Sequence, residues 1–207
     1  MRRAFLPLRS RMLEVTVALG VFLACSLVTV VLAVGAPYLE LPVWLWVLSF
    51  VAIVVNLLVG GFFISWLKRA YWNASSVDQG SDRFDHSWAV TSWFVPVLNL
   101  YRPLQMVHDV WRAARLGNEA LPAVWWVSFQ AWGWVSFSFW WLGHDWYVGL
   151  LGLVLGIVAA IFAIVIVVEA TRGLQRRNAE LEADEQEPTG RFDRSAFGQL
   201  AALRAGS

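Results

Sequence analysis

The stretch that decides how this chain is folded is WAVTSWFVPVLNLYRPLQMVHDVWRAAR, Trp88 to Arg115. It opens like a membrane span, breaks at Pro96 and again at Arg102-Pro103, and continues with polar residues on one side. From Trp88 to Leu100 a continuous helix would reach only ~20 Å at 1.5 Å per residue. That is too short to cross a hydrocarbon core of ~30 Å. Pro96 removes a backbone donor and pushes Val95 out of the helical region. Residues 88–100 therefore read as a re-entrant or interfacial broken helix. Pro103 suits the start of a new helix, where its missing N–H would have lacked a partner, and Gly117 suits the stop. In between, over 103–116, Leu104, Val107, Trp111 and Ala114 recur at helical spacing. Gln105, His108, Asp109, Arg112 and Arg115 take the other side, an amphipathic pattern that fits a helix lying on a membrane surface.

The surrounding chain is apolar. Of 207 residues 58% are hydrophobic and 15% charged, against about 25% charged in a soluble domain. Four runs are long enough to span, at about 15–34, 43–66, 123–142 and 146–168. The expected fold class is an all-α integral membrane four-helix bundle, with the broken helix and the amphipathic helix between spans two and three. The membrane domain is expected over 1–179 and a flexible cytoplasmic tail over 180–207. The last span is expected to run on as a helix through EATRGLQRRNAELEADEQ, and Pro188-Thr189-Gly190 would stop it.

Charge gives the orientation. The 16 Lys and Arg fall before span one, between spans two and three, and after span four; GAPYLELP and LGHD contain none. The positive-inside rule puts both termini and the central connection in the cytoplasm, with Glu40 and Asp145 outside. The expected localisation is the cell inner membrane. The positive excess is too small and dispersed for nucleic acid, and the arginines suit anionic lipid headgroups. Tryptophans divide similarly: Trp44, Trp46, Trp140, Trp141 and Trp146 at outer ends, Trp66, Trp125 and Trp126 at inner ends. Trp132 and Trp134 lie mid-span, where packing is the plain reading. MRRAFL resembles a twin-arginine start, but the apolar run that follows exceeds a signal h-region of ~7–15 residues, so a signal anchor is expected. The single cysteine, Cys25, excludes an intrachain disulfide and reads as a small apolar residue.

WLKRAYWNA, Trp66 to Ala74, together with SWAVTSWFVPVLNLYRPLQMVHDVWRAA, resembles the DUF4328 family of bacterial membrane proteins. The matching positions are Arg69, Asn73, Trp93, Phe94, Pro96, Asn99, Leu100, Arg102, Pro103, Gln105 and Trp111. The resemblance implies a multi-span membrane protein and brings no assigned activity.

Chemistry is sparse. No Asp, Glu, Lys, Arg or His falls mid-span, where ion-coupled transport and proton relays usually place one. Three dispersed histidines do not make a haem or metal site. No cofactor and no enzymatic activity are expected; only His108 with Asp109 could serve an enzyme at the interface. The candidate polar cluster is Arg69, Asn73, Asn99, Arg102, Gln105, His108, Asp109 and Arg112. One reading makes it a pocket for a headgroup or other anion, with Arg69 and Arg102 as fork-like donors. The plainer reading is structural, with Asp109 pairing Arg112, and Asn99 and Arg69 satisfying backbone groups freed at the two prolines. The leading expectation is a structural, regulatory or interaction module; its partners are lipids and, in addition, a protein or a second copy. The alternative is a small-solute or ion pathway using 88–100.

Overall fold

The computed structural model describes residues 4–35, 42–78, 83–142 and 146–186. Glu40, Asp145, the side chains of Trp44, Trp46, Trp140 and Trp146, and the tail beyond 186 lie outside them. Seven helices occur and no strand, among the described residues: α1 Arg9–Gly35, α2 Pro42–Val77, α3 Trp88–Thr91, α4 Pro96–Asn99, α5 Arg102–Ala113, α6 Ala120–Leu142 and α7 Trp146–Gln186. Three of them are long and apolar enough to cross a membrane, over Arg9–Val31, Phe50–Val77 and Tyr147–Gln186. The 23-residue α6 is not among these three, and Ser128, Gln130, Ser136 and Ser138 fall within it. The part of the expected tail from 180 to 186 is the end of α7, which continues unbroken from the apolar segment.

α1 packs on α2 and α7, and α6 packs on α7. The α6–α7 pair is antiparallel and close because α7 offers glycines: Gly149 faces Phe139, Gly152 faces Ser136, and a Cβ on Gly156 would sit 2.9 Å from Trp132 Nε1. Small residues that let helices approach are what packing in lipid needs, where the surrounding hydrocarbon supplies no hydrophobic drive. By contrast, the backbones of α2 and α6 do not come together.

The core lies at one end of the bundle, around α5. Met106, Val107, Val110 and Trp111 of α5 are buried with Trp66, Leu67, Ala70 and Tyr71 of α2 and with Ile166, Val167, Ala170 and Leu174 of α7. Trp66, Trp125 and Trp126 belong to this core as well, each 4% exposed or less. They form an internal aromatic layer with Phe63 and Phe129. Phe63 and Trp125 are 5.2 Å apart, Trp125 and Trp126 5.5 Å, and Trp126 and Phe129 5.5 Å. The indole donors explain the position: Trp66 Nε1 donates to Thr171 Oγ1 at 3.0 Å and Trp126 Nε1 to the Leu100 carbonyl at 2.9 Å. A buried tryptophan with an internal acceptor has no need of the interface. Trp132 packs edge-on against Phe22 at 6.1 Å, whereas Trp134 is exposed.

Candidate functional site

Pro96 acts as its chemistry dictates. Val95 is extended at φ −98°, ψ 110°, and Pro96 opens the single-turn α4. Tyr101 then interrupts again, at φ −141°, and α5 begins at Arg102 with Pro103 in its first turn. Two breaks so close together free backbone carbonyls at the bend. Gln130 Nε2 donates to the Asn99 carbonyl at 3.2 Å, and Trp126 Nε1 takes the Leu100 carbonyl. The bend is thus braced from α6. Arg69 was expected to share this task and does not.

Arg69 and Asn73 lie on α2 and grip a different segment. Residues Ala4 to Leu8 run as an extended strap across the end of α2. Asn73 Oδ1 accepts the Leu6 N–H at 2.8 Å while its Nδ2 donates to the Leu6 carbonyl at 2.7 Å. Arg69 Nη1 donates to the Pro7 carbonyl at 3.0 Å, and Trp72 Nε1 to that of Ala4 at 3.3 Å. Leu8 is fully buried beneath. Engaged on both sides, the Asn73 amide is also unavailable for glycosylation of the Asn73-Ala74-Ser75 sequon.

The remaining cluster members lie on α4 and α5. Arg102 stacks its guanidinium over Phe84, 4.0 Å from the ring centroid, with Trp88 at 5.7 Å. Phe84 is held by its own N–H donating to Tyr71 Oη at 3.0 Å. Asp109 pairs with Arg83 at 3.3 Å, and Arg112 with Glu119 at 3.4 Å, so the expected Asp109–Arg112 pair is replaced by two others. Asp109 was assigned to the polar side of α5 but is 4% exposed. It follows buried Met106 by three residues and precedes buried Ala113 by four, so it shares their face. Its burial pushes the carboxyl above the ordinary carboxylate range, more than the Arg83 charge pulls it down. His108 is pushed below its ordinary value by burial and then by the nearby Arg112.

Buried polar atoms with no protein partner among the described residues gather in one stretch, Ser92 to Trp111. They include Asn99 Oδ1, Arg102 Nε, Gln105 Oε1, His108 Nδ1 and Asp109 Oδ2, from five of the eight cluster residues. Buried polar atoms are ordinarily satisfied by protein, ordered water or a ligand. The other two side chains in that set beside Ser92 are Trp93 and Trp111, through their indole N–H groups.

Trp93 adds a second feature. Its ring stands edge-on to Phe63 and Phe129 at 6.0 and 6.1 Å, and it forms part of the wall of a crevice of about 430 Å³ between α2 and α6. Leu57, Gly60 and Ile64 line one side and Phe129 and Trp132 the other, with α1 and α7 behind. Asn56 is the polar side chain of the lining apart from the indoles, and its Nδ2 already donates to the Ala52 carbonyl at 2.8 Å.

A family model for a domain of unknown function, DUF4328, matches residues 40–145, just over half of the chain. The chain belongs to the DUF4328 family. The match runs from α2 through α6 and so contains the broken element, α5 and the α2 and α6 sides of the crevice, whereas the strap, α1 and α7 lie outside it. No curated protein and no solved structure matches the chain. This DUF4328 protein is therefore a membrane protein of unknown activity whose polar features concentrate at one end of an apolar helical bundle.

Proposed function

We propose that this DUF4328 protein is a four-span inner-membrane module without enzymatic activity, with both termini and the 68–122 connection in the cytoplasm. The fourth span is α6. It runs antiparallel to α7 with Phe139, Ser136 and Trp132 opposite Gly149, Gly152 and Gly156, so it occupies the depth that α7 occupies. Its 23 residues reach ~34 Å as a helix, enough for the hydrocarbon core.

In this reading the broken element is a structural foot. Trp93 reaches the level of Phe63, above Trp66 on α2, while Phe94, Val97 and Leu100 are exposed and apolar. That combination supports a dip into the inner leaflet followed by return. α5 then lies along the cytoplasmic face as an amphipathic helix, with Trp111 turned to the bundle and Arg112 outward. Exposed arginines there, Arg112, Arg115, Arg172 and Arg176, meet anionic headgroups at about 1 kcal/mol each. The same face is open to a protein partner or a second copy.

The observation that carries the module over the solute or ion pathway is the wall of the crevice. A pathway needs polar groups or carbonyls lining its constriction, whereas this one is lined by aliphatic and aromatic side chains, with the Asn56 amide bonded back to its own helix. Reconstituted into liposomes, the protein should pass potassium, sodium and protons no faster than protein-free vesicles. A flux that disappears in Gly60→Trp would replace the module with the pathway.

A further inference from the structure

One stripe of α2 joins the crevice to a charge. Ile53, Leu57, Gly60 and Ile64 follow at three- and four-residue spacing and line it; the next residue on that stripe is Lys68, one helical turn of ~5.4 Å further toward the cytoplasmic end. Lys68 is exposed and makes no ion pair or hydrogen bond among the described residues, although neighbouring Arg69 is engaged with Pro7. On the opposite wall Trp93 contributes its ring, with the indole N–H itself buried. A volume of about 430 Å³ falls within the ~300–1,000 Å³ of small-molecule sites, which are largely apolar with a few placed polar groups.

We infer that the crevice between α2 and α6 holds one acyl chain of an anionic phospholipid, whose phosphate rests on Lys68. This rests on the reading that α2, α6 and α7 cross the bilayer, which puts hydrocarbon at the mouth of the crevice. The occupant follows from the two ends. The aromatic wall accepts a flexible apolar chain, and the free ammonium sits at headgroup depth and complements a phosphate. A neutral apolar solute would use the wall and leave the ammonium idle. The broken element acquires a purpose in this arrangement, because only a segment that dips and returns can bring Trp93 to the wall of the crevice while leaving Lys68 open below it.

Gly60 allows a clean test. A Cβ there meets nothing within 4 Å, and the same is true of Gly61, which does not line the crevice. The full-length protein is reconstituted in vesicles of phosphatidylcholine containing phosphatidylglycerol with a diazirine on one acyl chain, irradiated, and the adducts are mapped by mass spectrometry. Adducts should concentrate on the crevice residues Val59, Ile64 and Phe129 over the exposed lipid-facing residues Val31 and Phe137. Gly60→Leu should remove that excess and Gly61→Leu should preserve it. Lys68→Gln should lower the preference for phosphatidylglycerol over a phosphatidylcholine probe roughly five-fold, what one lysine near an anionic surface supplies. Labelling of the crevice equal to that at Val31 and Phe137, or unchanged by Gly60→Leu, would reduce it to ordinary lipid contact and overturn the site alone. Absence of adducts from Val31 and Phe137 as well would overturn the membrane reading beneath it.

Discussion

The Asn73 side chain and the Leu6 backbone exchange two hydrogen bonds, 2.8 Å from the Leu6 N–H to Oδ1 and 2.7 Å from Nδ2 to the Leu6 carbonyl. A carboxamide is the side chain that can mimic a backbone peptide in this way, since it offers one acceptor and one donor on the same plane. The strap preceding α1 is thereby tied to α2, whose own backbone groups are spent within the helix. Arg69, one turn earlier on the same face, repeats the grip at Pro7.

Removing that grip should be costly. Asn73→Ala leaves a backbone N–H and carbonyl without partners in a part-buried site, at ~1–3 kcal/mol for each unsatisfied group. Asn73→Asp retains the acceptor and loses the donor while adding a charge to a fully buried position, so it should destabilise more than Asn73→Ala. Thermal unfolding in detergent should show both, and limited proteolysis should show cleavage near Leu6 before the bundle is lost. An Asn73→Asp protein as stable as the parent would remove the two-way pairing from the account.

The bend at Asn99 and Leu100 depends on α6. Trp126→Phe keeps the ring packed among Trp93, Trp125 and Phe129 and deletes only the donor to the Leu100 carbonyl. The cost should be ~1–3 kcal/mol, the penalty of a carbonyl left without its donor. Gln130→Leu should act likewise on Asn99 and, because both donors serve one bend, the double variant should lose less than the sum. Strict additivity by thermal unfolding would mean that Asn99 and Leu100 are not held as a unit.

His108 and Asp109 should give stability opposite dependences on pH. The His108 pKa is lower in the fold than its ordinary 6.5, so the unfolded chain binds the proton first; stability present above that value is lost as pH falls through about 6.5 toward the folded pKa. Asp109 is raised from an ordinary 3.8, so the folded chain binds the proton first. Its contribution is greatest at low pH and is lost as pH rises from about 3.8 through the raised value. Melting temperature against pH should therefore dip on acidification from neutrality and the dip should flatten in His108→Gln. Retention of the full dip in that variant would assign it to other groups.

α5 closes with an arginine where glycine is usual. Arg115 has φ 51°, its N–H donates to the Arg112 carbonyl at 2.9 Å, and the Leu116 N–H donates to that of Trp111 at 3.3 Å. This is the Schellman pattern, with Arg115 and not Gly117 in the left-handed position. That conformation costs an L-residue ~1–2 kcal/mol, partly offset by the ~0.5–1 kcal/mol of extra chain entropy that glycine loses on folding. Arg115→Gly should raise stability by a few tenths to about 1 kcal/mol on that balance. A loss of stability would show that the Arg115 side chain contributes something the backbone geometry does not reveal. The neighbouring contact is less tolerant: a Cβ on Gly173 would lie 2.8 Å from Ala114 Cβ and 3.0 Å from its carbonyl oxygen, which joins α5 to α7.

Much of the architecture was legible because it follows from local chemistry. Long apolar runs have a helical reading with few rivals, and Pro96 constrains Val95 wherever the chain goes. The spacing of Arg69 and Asn73 announced a shared face. Their partners were illegible, since the atoms they bind are backbone carbonyls and an N–H of a strap some 60 residues away, which carry no side-chain signature. The bond of Trp126 to the Leu100 carbonyl was hidden for the related reason that an aromatic near a helix end suits a headgroup and a buried carbonyl equally. Asp109 misled because it lies at the boundary of two helix faces, where its charge argued for solvent and its register for the core. The crevice could not be read at all, because it arises where the backbones of α2 and α6, among the described residues, stay apart.

The measurement that tests the account most directly is the sidedness of the two ends of α6 and α7. In a Cys25→Ser background, single cysteines at exposed Glu119 and Tyr147 should be treated in intact cells with a membrane-impermeant thiol reagent. If α6 is the fourth span, Tyr147→Cys reacts from outside and Glu119→Cys reacts only after permeabilisation. Reaction of both residues from the same side would contradict four spans, and reaction of Glu119→Cys alone in intact cells would invert the orientation and place the foot outside.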